Sequence, residues 1–189
     1  MKFYVVGDHW PTTRMFYEWG YIAANHPVDA DMCVFTGSKL VDPSLYRSER
    51  DFPMEDPQLD SFESNAFFYL KDQGKLLLGI NRGAILMQSL TNGAVIPNLK
   101  GHEEDHPLKV KSLNNNYSVA SFHKQGIYPS SVEDVVVAYC PVDSGADYNI
   151  EVIYKKESNI LLYLPPAYEY NTTSDTQDVL YSILKEMGP

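Results

Sequence analysis

The chain has 189 residues, 44% hydrophobic and 21% charged, which suits one soluble domain over residues 1–189 with a sizeable core. Its formal net charge of −10 disfavours nonspecific binding to nucleic acid or to an anionic membrane, because affinity for phosphate rests on Lys and Arg. No apolar run approaches the ~20 residues of a membrane span. Cys33 and Cys140 sit in apolar strand-like runs without metal-ligand spacing, so they read as buried free thiols of a cytoplasmic protein.

In chain order, residues 2–6 form a short apolar strand that breaks at Gly7-Asp8-His9, too short for a secretory leader. Residues 13–25 read as a helix with aromatic anchors, and residues 31–35 as a second strand ending at Thr36-Gly37-Ser38. Residues 42–57, rich in Pro, Asp and Glu, read as a loop. Residues 58–73 suit a helix, with Phe62, Ala66, Tyr69 and Leu70 at roughly helical spacing, stopped by Gly74. Residues 75–80 are a continuous apolar run, as in a strand buried on both faces of a parallel sheet. Residues 82–91 then read as a helix closed by Asn92-Gly93.

The second half changes character. Residues 108–113 and 117–122 read as a hairpin joined by three asparagines, Asn114 to Asn116. Residues 132–140, 148–154 and 159–164 read as strands, and residues 174–187 as a closing helix. Helices alternating with strands, followed by a run of strands, predict a three-layer α/β fold: an open, mostly parallel sheet with helices on both faces.

Four segments, in order along most of the chain, carry a resemblance to class I glutamine amidotransferases, in particular to their γ-glutamyl hydrolase-like branch. VFTGSKLVDPSLY (34–46) resembles that branch's Thr-Gly-Gly loop and Pro-x-Leu-Tyr turn. GINRGAILMQSLTNG (79–93) resembles its Gly-Ile-Cys-Arg-Gly nucleophile elbow and helix. SFHKQ (121–125) resembles its Ser-Phe-His-His-Gln segment, and LLYLPPA (161–167) aligns with the strand end that reads Gln-Trp/Phe-His-Pro-Glu. The resemblance implies a flavodoxin-like, class I amidotransferase fold. It also implies a site at which a cysteine attacks an amide, a histidine activates it and a carboxylate orients the histidine.

Those three positions read Asn81, Pro165 and Ala167 here, and a glutamine that helps bind the substrate in the family reads Ile85. Asparagine is not a nucleophile, and proline has no proton to exchange. Losing a nucleophile or its base costs on the order of 10⁶ in turnover in a protease with a comparable triad. Roughly 10³–10⁴ of acceleration survives there from the oxyanion hole and binding. The expectation is a catalytically degenerate relative, a pseudoenzyme in which Asn81 serves the turn, since Asn tolerates positive φ better than most residues.

Several residues are candidates for a remaining binding role. Gly37, Ser38 and the amide of Arg82 could still form an oxyanion-like site at a helix N-terminus, with His123 on the substrate side; alternatively Arg82 packs structurally and His123 is a hydrogen-bonded structural histidine. Asp8, His9, Lys39 and Glu169 fall at loops near the same sheet edge and could support a repurposed reaction, or be plain loop residues. His102 and His106 lie four apart, but Pro107 argues against the helix that would align them, so no metal or cofactor is expected. Tyr163, Tyr168, Glu169 and Tyr170, around the position where the family reads His-Pro-Glu, could form a binding surface or belong to core and rim. The expected partner is a protein, another copy of this chain, or a small γ-glutamyl or other amide-type ligand; an active amidohydrolase and a small-molecule sensor are the alternatives.

Overall fold

A computed structural model describes residues 1–48, 56–102, 104–113, 115–141, 149–166 and 175–188. The strands are β1 (Lys2–Val5), β2 (Ile22–Ala23), β3 (Met32–Phe35), β4 (Leu76–Ile80), β5 (Ala94–Ile96), β6 (His106–Val110), β7 (Asn116–Val119), β8 (Gly126–Tyr128), β9 (Asp134–Tyr139), β10 (Ile150–Lys155) and β11 (Ile160–Tyr163). The helices are α1 (Trp10–Glu18), α2 (Pro57–Lys71), α3 (Arg82–Leu90) and α4 (Thr176–Met187). Nine strands form one sheet in the order β2-β1-β3-β4-β11-β10-β9-β6-β7, and β5 pairs with β8 apart from it.

The sheet has two halves. From β2 to β11 every pairing is parallel; from β11 to β7 every pairing is antiparallel. The parallel strands therefore end on one edge, near Asp8, Gly37, Asn81 and Pro165. The alternating directions of the other half bring the start of β10, the start of β6 and the end of β7 to that same edge.

Strand β4 shows why three layers form. Leu76, Leu78 and Ile80 face a core with Phe3, Phe16, Tyr163, Val179, Leu180 and Leu184, which brings in α1 and α4. Leu77 faces the opposite core with Phe35, Phe67, Ala84, Ile85, Met87 and Leu162, which brings in α2 and α3. Side chains alternating between two cores on a fully apolar strand are the two-sided pattern of a central parallel strand.

Some elements differ from expectation. Helix α1 starts at Trp10, with Pro11 in its first turn, and ends at Glu18 rather than running to residue 25. Gly20, at φ 79, turns the chain, and Ile22–Ala23 adds an edge strand of two residues. Strands β5 and β8 have no counterpart among the expected elements. The inner face of α2 is Asp60, Glu63, Phe67 and Leu70, whereas Phe62 and Tyr69 are exposed. Two acidic residues on the buried face shift the apparent hydrophobic period away from the true one. Tyr163 belongs to the core, fully buried, with its hydroxyl donating to the Thr176 carbonyl at 2.8 Å. Both cysteines are buried, and burial pushes the Cys33 thiol up to about 11. Among the described residues, no helix is long and apolar enough to cross a membrane.

Candidate functional site

The end of β4 turns directly into α3 at Asn81, which has φ 50 and ψ −111. The positive φ is as expected, but the ψ lies far outside the left-handed α well, in a region that Asn does not favour. Backbone bonds hold the turn. The Asn81 amide donates to the Tyr163 carbonyl at 2.8 Å, and the Asn81 carbonyl accepts from Ala84 at 2.9 Å and Ile85 at 3.3 Å.

The flanking glycines are steric requirements. A Cβ on Gly79 would stand 2.7 Å from the Ala84 nitrogen and the Gly83 carbonyl group, and one on Gly83 would stand 2.1 Å from the Phe35 carbonyl oxygen. The Gly-x-Asn-x-Gly spacing thus lets α3 press onto the ends of β3 and β4 with no intervening side chain. The amides of Arg82 and Gly83, at the first two helical positions, have no intrahelical acceptor by position.

The Arg82 side chain points away from anion binding. It is buried and reaches across to α2, where its guanidinium nitrogens donate to the Asp60 and Glu63 carboxylates. Asp60 also accepts the Asp42 amide at 2.8 Å, which ties the 3₁₀ turn Pro43–Tyr46 to α2. Burial pushes both carboxyls up, against the downward pull of Arg82. One cation facing two buried acids makes the Arg82 side chain a structural cross-link between α2 and α3.

The other expected site residues are held by separate partners. Gly37, at φ 129, has its backbone beside the Arg82 side chain, and Ser38 is exposed. Lys39 pairs with Asp56, the N-cap of α2, at 2.5 Å. Asp8 is exposed, and His9 Nδ1 lies 2.9 Å from the Thr12 hydroxyl in the first turn of α1. Pro165 lies two residues beyond the end of β11. Ala167, Tyr168, Glu169 and Tyr170 lie outside the described residues.

His123 belongs to a cluster that sequence spacing does not assemble. His102 precedes β6, His106 opens it, His123 follows β7, and Glu151 sits near the start of β10. All four are buried, and one ligating atom from each lies within 4.8 Å of the others. His102 Nδ1 is 2.8 Å from Glu151 Oε1 and 3.2 Å from His106 Nε2. His106 Nε2 is 3.5 Å from Glu151 Oε1, and His123 Nε2 is 3.2 Å from Glu151 Oε2.

The expectation of no metal site rested on the lack of a helix to align His102 and His106. A strand start and the segment before it align them instead, with ring centroids 4.9 Å apart. Burial opposes ionisation of Glu151, but the facing His123, His102 and His106 outweigh it and bring the carboxyl down to about 2. Burial lowers the pKa of His106 against the pull of Glu151, which favours its neutral imidazole. Glu151 is absent from the expected site residues, although a lone acid inside the apolar strand run Ile150–Lys155 is a readable signal.

The cluster adjoins the elbow. The Leu164 amide donates to the Glu151 carbonyl at 3.0 Å, and the Tyr163 carbonyl accepts from Asn81. Two strand spacings therefore separate the Asn81 and Glu151 backbones, about 10 Å.

No protein-family model matches the chain, and no curated protein matches it. Solved structures do. A GMP synthase component from Thermoplasma acidophilum is similar at TM-score 0.68 and 16% identity, over 99% of this chain and 96% of that one. PurLQS from Thermotoga maritima is similar at TM-score 0.68 and 16% identity, over 98% of both. A glutamine amidotransferase from Thermotoga maritima is similar at TM-score 0.65 and 10% identity, over 98% of this chain and 84% of that one. With the parallel strands, the elbow and the helices on both faces, these likenesses give the chain the class I glutamine amidotransferase-like fold.

Proposed function

We propose that this protein acts by binding rather than by amide cleavage, as a catalytically degenerate relative of the glutamine amidotransferases with a scaffold or regulatory role. The observation that carries this reading is the Asn81 elbow. Its backbone keeps the sharp strand-to-helix turn, while the side chain on it cannot attack a carbonyl. Through the sequence resemblance Pro165, just past the end of β11, aligns with the base, and on that alignment the nucleophile and its activator are missing together.

A protein partner is the favoured occupant. The similar GMP synthase component is by its own name one part of a larger enzyme, which supports a role for this fold within an assembly. The rival reading, a repurposed acid–base site, gains little from the geometry, because Lys39, His9 and His123 are each engaged by different partners.

Release of ammonia and glutamate from glutamine and simple γ-glutamyl amides tests the proposal, comparing the wild type with Asn81→Ala. Neither protein is expected to release product above the uncatalysed background. Turnover by the wild type that Asn81→Ala abolishes would overturn the reading.

A further inference from the structure

We propose that His102 Nδ1, His106 Nε2, His123 Nε2 and the Glu151 carboxylate form a closed, four-ligand site for one divalent first-row transition ion, of which zinc is the representative. The inference is independent of the binding role and of the elbow.

Proton accounting carries it. His123 Nδ1 lies 2.9 Å from the Gln125 carbonyl, and His106 Nδ1 lies 3.2 Å from the Pro107 carbonyl. A carbonyl only accepts, so both Nδ1 atoms carry the hydrogen. In the neutral rings, both Nε2 lone pairs then face the centre of the cluster. For these two rings this is the arrangement of metal-ligating histidines, whose second ring nitrogen donates to a carbonyl or carboxylate, whereas His102 Nε2 is buried with no hydrogen-bond partner among the described residues.

Opposite them is a buried carboxylate. Glu151 Oε1 is wholly buried and meets no donor in good hydrogen-bond geometry among the described residues, although His102 Nδ1 lies 2.8 Å away. Lone pairs and an anionic oxygen converging in a dry space repel unless a cation joins them. An ionised carboxylate with three imidazoles is a donor set suited to zinc and its neighbours.

The dimensions agree. Ligands about 2.0–2.1 Å from a tetrahedral ion stand about 3.3 Å apart. Contacts of 2.8 and 3.5 Å to Glu151 Oε1, 3.2 Å to Glu151 Oε2 and 3.2 Å between His102 and His106 bracket that edge, and the whole set of ligating atoms lies within 4.8 Å. Exposures of 0% for His102, 7% for His106, 4% for His123 and 0% for Glu151 leave no open face for substrate. The site is therefore of the structural type, with protein atoms filling the coordination shell.

The ion's task would be to clamp irregular chain to the sheet. His102 and His123 lie on segments outside the strands, joined by backbone bonds that include Leu99 N to Lys124 O at 2.6 Å and His123 N to His102 O at 3.3 Å. His106 and Glu151 lie on β6 and β10. One ion would join all four at the edge that carries the elbow.

The test uses the full, untagged chain. Elemental analysis of the purified protein is followed by chelation, zinc titration against a competing chromophoric chelator, and cobalt(II) substitution. The expected result is one equivalent of zinc. At free zinc roughly 100 times Kd, Tm should rise by about 5–10 °C. Cobalt should give the intense visible bands of a tetrahedral site. Glu151→Gln should weaken zinc binding about 100-fold or more. Should that variant fail to fold, His106→Gln and the wild-type cobalt spectrum carry the decision.

Folded wild type that binds less than a tenth of an equivalent, with no Tm shift and no cobalt bands, would overturn the site. Undiminished binding by folded Glu151→Gln would do so as well. In the first case, protonated histidines paired with Glu151 would be what holds the cluster.

Discussion

Gly83→Ala is expected to cost about 3 kcal/mol or more, the upper end of overpacking penalties. The new methyl would sit 2.1 Å from the Phe35 carbonyl oxygen and 2.4 Å from its carbon. Those are backbone atoms of β3, a strand hydrogen-bonded on both sides, so they have nowhere to retreat. The only relief is to lift α3 off the sheet, which would open the packing of Ala84, Ile85 and Met87 against Leu77 and Leu162. Gly126→Ala supplies the contrast. Its nearest neighbour is the Leu99 Cδ2 methyl at 3.3 Å, a side-chain terminus that can rotate away. Urea unfolding of both variants measures the difference. A Gly83→Ala protein as stable as the wild type would mean that α3 does not depend on close contact with β3.

Arg82→Met is the second large effect, expected to cost about 3–5 kcal/mol, as when one partner of a buried ion pair is removed. Methionine conserves much of the volume, so the loss reports charge rather than a cavity. Asp60 and Glu63 would be left buried with no cation, and both carboxyls already sit above their ordinary range because burial outweighs Arg82. Without Arg82 they rise further. An acid with a raised folded pKa keeps its stability below the unfolded value and loses it as pH climbs through the folded one. The Arg82→Met defect should therefore be smaller near pH 5 than near pH 8. Adding Asp60→Asn and Glu63→Gln should recover much of the loss and remove most of that pH dependence. A pH-independent defect, unrelieved by the neutral partners, would show that Arg82 contributes by packing alone.

The legible parts of the molecule are those in which one strong local signal coincides with the tertiary outcome. The apolar run of β4, the Gly-x-Asn-x-Gly turn and the helix after it appear in the structure within one residue of expectation, because burial, turn and packing all select the same residues. Helix α2 is legible, but its inner face is not. Asp60 and Glu63 are inside only because Arg82, some twenty positions later, neutralises them. Periodicity counts acids as outward-facing and has no access to a partner so distant in sequence. Strand β2, with two residues, is below the length at which alternation can be seen. The histidine cluster is half visible for a similar reason. His102, His106 and His123 each stand out, yet only the antiparallel return of β6 and β10 to the elbow edge brings Glu151 among them.

The claim that Asn81 serves the elbow through its backbone alone, with no part for its side chain, is tested most directly by the unfolding free energy of Asn81→Gly. Glycine enters the positive-φ region without a Cβ penalty. Relieving a strained residue of this kind is worth about 1–3 kcal/mol, less roughly 1 kcal/mol for the added freedom of the unfolded chain. The variant is expected to be as stable as the wild type or up to about 2 kcal/mol more stable. A loss of more than about 1 kcal/mol, larger than glycine's own entropic cost, would contradict the claim by showing that the Asn81 side chain makes contacts the protein depends on.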